Sequence, residues 1–86
     1  MYFVNISQSA FKKIKKLSNI DSKNFYKVVE KLKIDPFNQS LKTHKLKPPF
    51  VDTYSCSLSF KRRVLFIILV KDNVTIIDIG SHDEVY

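Results

Sequence analysis

The sequence predicts an α+β domain in the order β-α-α-β-β-β, with a helical hairpin packed on one face of a small antiparallel sheet. Three observations carry this. Apolar residues between positions 10 and 34 recur at helical spacing against a lysine background. Tyr54 to Phe60 alternates residue by residue, which is the period of a strand with one buried face. Val64 to Val70 is a continuous apolar run, too short for a membrane span and the right length for a central strand.

Taken in order, Tyr2-Phe3-Val4-Asn5-Ile6 is aromatic and β-branched and reads as a short first strand. Ser7 or Ser9 can cap a helix whose apolar face is Ala10, Phe11, Ile14 and Leu17. Asn19 and Asp21 break that pattern. A second helix is expected from Ser22 to Ile34, with Phe25, Val28, Val29 and Leu32 as its stripe, closed by Asp35-Pro36 because a residue before proline is pushed out of the helical region. Residues 36–53 are expected to be irregular, and Pro48-Pro49 rules out ordinary strand pairing there. In the alternating strand Tyr54, Cys56, Leu58 and Phe60 should face inward, while Ser55, Ser57 and Ser59 make a small polar outer face. Lys61-Arg62-Arg63 connects to the central run Val64–Val70. Lys71-Asp72-Asn73 then turns the chain into the last strand, Val74–Ile79. Gly80 to Tyr86 remain as a tail.

Eighty-six residues suit one domain, residues 1–86, with one modest core and no deep cofactor pocket. One cysteine cannot form an internal disulfide and fits a reducing cytoplasm. No signal peptide is expected. The net charge of +7 is uneven. Residues 1–51 hold eleven lysines against Asp21, Glu30 and Asp35, whereas residues 52–86 have a balance of −1. The basic half suits a polyanionic partner, and it equally suits a solvated face that keeps the protein soluble.

No histidine or cysteine cluster has metal-ligand spacing, and a single glycine builds neither a Walker loop nor a dinucleotide fingerprint, so no cofactor is expected. What remains for chemistry is His44, His82, Arg62, Arg63, the lysines, Tyr54 and Tyr86. Such a set can cleave RNA without a metal. The ribose 2′-hydroxyl attacks the adjacent phosphate, a base takes its proton, a cation steadies the charge, and an acid protonates the leaving oxygen. Histidine suits both proton transfers, with an unperturbed pKa of ~6.5, and arginine suits the phosphate. The tail also has a structural reading, since Ser81-His82-Asp83-Glu84 matches the S-x-x-E capping box. Tyr54 and Cys56 read as core residues.

Several stretches carry a family resemblance. Leu41-Lys42-Thr43-His44-Lys45-Leu46-Lys47, the strand Tyr54–Leu58, Arg63-Val64-Leu65-Phe66 and the closing Asp78–Tyr86 together resemble the RelE/ParE toxin superfamily of type II toxin–antitoxin systems. The likeness is to its YafQ/RelE branch of mRNA interferases, and it spans nearly the whole chain. It implies a ribosome-dependent endoribonuclease that inhibits translation, with a cognate antitoxin, the ribosome and mRNA as partners and no membrane. By position, His82 matches the tail histidine that serves as acid or base, and Tyr86 the terminal aromatic. His44 matches the loop histidine, and Arg63 the arginine that contacts the scissile phosphate. Lys42, Lys45, Lys47, Lys61, Arg62, Lys12 and Lys16 are the expected RNA contacts. YafQ-like members also carry a histidine and an aspartate along the middle strands, where this chain has Ser57 to Arg63. That departure keeps a second expectation open: a ParE-like gyrase inhibitor, or a member that only binds its antitoxin.

Overall fold

The computed structural model describes residues 1–81. They form β1 (Phe3–Ile6), α1 (Gln8–Ile14), α2 (Asn19–Ile34), β2 (His44–Lys45), β3 (Thr53–Ser57), β4 (Arg62–Ile67) and β5 (Asn73–Ser81), with a 3-10 turn at Gln39–Leu41. The strand order across the sheet is β1-β5-β4-β3-β2. β3, β4 and β5 are the expected antiparallel meander, and β2 extends it on one edge. β1 joins the other edge parallel to β5, which makes the sheet mixed.

Local chemistry fixes the helix starts. Ser7 accepts a hydrogen bond from the Ala10 N–H at 3.2 Å, and Ser18 one from the Asp21 N–H at 3.1 Å. Because Ser18 is the cap, α2 begins at Asn19 rather than at Ser22, and Asn19 and Asp21 belong to its first turn. Asp21 is favourable there, since a carboxylate complements the positive end of a helix. Phe25, Val28 and Leu32 form the buried stripe, and Lys23, Lys27 and Lys31 stay in solvent. The helix stops at Asp35, whose backbone is extended ahead of a fully buried Pro36, as the sequence predicts. α1 is shorter than expected and ends at Ile14.

Both helices cover one sheet face. There Cys56, Leu58, Val64, Phe66, Val74, Ile76 and Ile79 pack with Ala10, Phe25, Val28, Leu32 and Leu41. Tyr54 stacks on Phe66 with centroids 5.6 Å apart, and Phe37 meets Tyr54 edge-on at 5.3 Å. A β-bulge keeps β5 in phase with this core. Leu65 pairs with Asp78 but Phe66 pairs with Ile76, so Ile77 is the extra residue and Ile76 and Ile79 both point inward. The Ile77 carbonyl accepts from Ser7 Oγ at 3.3 Å and Ser9 Oγ at 3.4 Å, so α1 takes over the edge of β5 where β1 ends.

Four expectations need correcting. Phe60 does not face the core; it is 97% exposed. The β3 ladder stops at Ser57, and the N–H groups of Leu58 and Ser59 both turn to the Arg62 carbonyl, so strand alternation no longer applies at Phe60. The central strand runs Arg62–Ile67 rather than Val64–Val70, because β3 begins at Thr53 and offers no partner past Ile67. Leu69 and Val70 are exposed. His44 and Lys45 lie on a short edge strand, not in a loop. Ser55 is fully buried and Thr53 nearly so, which leaves Ser57 and Ser59 as the half-buried part of the serine face.

Cys56 is buried in the core, and desolvation pushes its thiol up to about 12, with the Arg63 charge pulling the other way. The ordinary value is 9.0, so the unfolded chain ionises first as pH rises. Stability contributed by the neutral thiol is therefore complete below about pH 9 and is lost as pH climbs toward 12. Denaturant melts between pH 8 and 11 should show a fall in stability with a slope of up to one proton, absent in Cys56→Ala. Native protein at pH 8 should resist iodoacetamide and react only after unfolding. Rapid native alkylation would contradict this burial.

Candidate functional site: the sheet face away from the helices

Residues directly opposed in an antiparallel pair share a face. Two cross-strand rows follow from the register. One contains His44, Ser55, Leu65 and Asp78; the next contains Ser57, Arg63 and Gly80. Because Val64 and Phe66 are in the helix-covered core, both rows belong to the opposite face. Arg63 is half-buried there, and Gly80 stands across from it with no side chain to crowd the guanidinium. Gly80 does not have a positive φ, so its role is not a turn: β5 continues through it to Ser81.

The two arginines part company through the same alternation. Arg62 is on the helix side, where its Nε donates to Asp21 Oδ2 at 3.0 Å. Asp21 anchors it to the first turn of α2, in a depression shared with Lys13, Lys16, Leu17 and Ile79. Lys13 in turn holds the Asp78 carboxylate at 2.7 Å. Neither ion pair is readable from sequence, since the partners are 41 and 65 residues apart. The separation of Arg62 from Arg63 was not readable either: the sequence places both in the connection before the strand, and only the β4 ladder, which begins at Arg62, sets them on alternate faces.

Of the expected site residues, His44 and Arg63 share a face. They are two strand spacings and two residues apart, roughly 12 Å between backbone positions, a gap for a nucleotide rather than for one hydrogen bond. Lys45 pairs with Tyr54 and so belongs to the helix side. Lys42 caps the 3-10 turn in the left-handed region, with φ 52°. It is exposed, as are Lys47 beyond β2, Lys61 in the β3–β4 connection, Lys12 on α1 and Lys16 just past it. These lysines are spread around the sheet rather than gathered at Arg63. His82 and Tyr86, with most of the capping box, lie outside the described residues. Ser81, the last described residue, pairs with Arg62 in the ladder. Among the described residues no three His, Cys, Asp or Glu side chains group as a metal site. No helix among them is long and apolar enough to cross a membrane.

The arrangement can present a planar cation to a phosphate. Arginine does this through paired N–H donors, and a neighbouring glycine lets a backbone come close.

No protein-family model matches the chain, and no curated protein matches it in sequence. Solved structures do match in fold. YafQ from Escherichia coli strain BL21(DE3) superposes with a TM-score of 0.81 at 11% identity, over 100% of this chain and 99% of that one. A metal-bound toxin from Helicobacter pylori gives 0.77 at 25% identity over 100% of both chains. The archaeal RelE of the RelE–RelB complex from Pyrococcus horikoshii gives 0.77 at 21% identity over 93% of each. The fold is therefore that of bacterial and archaeal toxins of toxin–antitoxin pairs. More narrowly, it is the RelE-like fold shared by RelE and YafQ.

Proposed function

We propose that this chain is the toxin of a type II toxin–antitoxin pair. It inhibits translation by cutting mRNA on the ribosome without using a metal, and a cognate antitoxin holds it in check. The observation that carries the reading is Arg63. It stands on the face away from the helices, opposite Gly80, two residues before His82 on a fold shared with RelE and YafQ. Arg63 braces the scissile phosphate, His82 and His44 share the proton transfers, and Tyr86 positions a base. The exposed lysines hold ribosomal RNA through a salt-dependent contact. A cytoplasmic site of action follows from the ribosome as target.

A second reading has one observation in its favour. Ser57 and Ser59 occupy the stretch where the resemblance would place a histidine and an aspartate. On that reading the protein binds without cutting, as a gyrase inhibitor or an antitoxin partner only. Primer extension on cellular mRNA after induction separates the two. The nuclease gives new 5′ ends phased with codons, which vanish when translation initiation is blocked. Intact mRNA in arrested cells would discard the nuclease reading.

A further inference from the structure

Phe60 is the most exposed of the large apolar side chains among the described residues, and it is not part of the core they form. It stands in the β3–β4 connection, where polar turn residues would serve equally well. It borders an open depression with Asp21, Ser59, Lys61, Arg62 and Ser81, none of them apolar. An apolar anchor on a protein partner needs an apolar surround that excludes water. A nucleobase needs one free ring face and cations within reach of its phosphates. The surroundings of Phe60 meet the second requirement and not the first.

We infer that Phe60 is a stacking platform for an unpaired RNA base, with Lys61 and Arg63 holding the flanking phosphates. Phe60 and Arg63 are three residues apart, at most ~11 Å along the chain, so one strand of RNA can reach both. Asp21 fixes Arg62 at the wall of the depression through the 3.0 Å bond to Nε. Phe60 thereby adds a base-binding position at the hairpin tip on the Arg62 side of β4, and the strand of RNA passes round the tip to reach Arg63 on the other face. The inference rests on the reading that this protein binds RNA, and it adds a residue that strand alternation had assigned to the core.

The test uses the full chain and a single-stranded RNA dodecamer carrying 2-aminopurine, titrated at two salt concentrations. Phe60→Ala and Phe60→Leu should each weaken binding roughly 5- to 150-fold, with the 2-aminopurine quench reduced. Phe60→Trp should keep or tighten it. The salt dependence should be unchanged in all three, since no charge is removed. The thermal midpoint should also hold, because the ring contacts nothing in the core. Wild-type affinity in Phe60→Ala would overturn the inference and leave the RNA reading standing. Retained affinity in Phe60→Leu would overturn stacking in favour of a generic apolar contact. A wild-type protein that binds no RNA would overturn the platform, whereas the ribosome-dependent reading stands or falls on the primer-extension result.

Discussion

An Arg63→Ala variant is expected to cleave mRNA about 10²–10³-fold more slowly than the wild type while unfolding at nearly the same temperature. The size follows from removing one preorganised donor to a charge that develops in the transition state. The stability expectation follows from position. Arg63 lies on the sheet face away from the helices, and no ion pair of the described residues involves it. Arg62→Ala supplies the contrast. It removes the bond to Asp21, a pair whose arginine is 43% exposed, so the stability loss should stay within about 1 kcal/mol. Its cleavage rate should fall by less than about tenfold. Single-turnover cleavage on programmed ribosomes, paired with thermal melts, checks both. Equal losses in the two variants would mean that the alternation does not separate their roles.

His82→Ala should release cells from growth arrest and lower the cleavage rate by about 10²–10⁴-fold, the usual worth of a positioned acid or base. The loss should fall on one limb of the pH–rate profile, because removing a single proton-transfer group removes a single ionisation. His44→Ala should alter the other limb if the two histidines divide the work. His44 is exposed on a two-residue edge strand, so its removal should not disturb the core. A His82→Ala protein that stays fully toxic would take the catalytic role away from the tail.

Much of the fold was legible because each element obeys a local rule. Ser7 caps α1, Phe25, Val28 and Leu32 repeat at helical spacing, and Asp35-Pro36 ends α2. Tyr54, Cys56 and Leu58 turn inward at a period of two. The misses share one cause: pairing extent is set by the partner strand, not by the strand's own composition. Phe60 reads as core until the ladder stops at Ser57. Leu69 and Val70 read as central strand until β3 runs out at Thr53. Of the candidate site, Arg63 and His44 were expected from the resemblance, but their shared face was not legible, since His44 joins the sheet only through the edge strand β2.

What the sequence determined by itself is the kind and order of its elements apart from the edge strand β2, because capping, periodicity and proline act over a few residues. Tertiary structure alone decided which of the described charges are paired across the fold. Arg62 and Asp21 meet across 41 positions, Lys13 and Asp78 across 65, and Gly80 lies opposite Arg63 only through the β4–β5 register. Those contacts depend on how distant segments pack, and no local pattern encodes them. The arginine left facing away from the helices is the one on which the chemistry proposed for this protein turns.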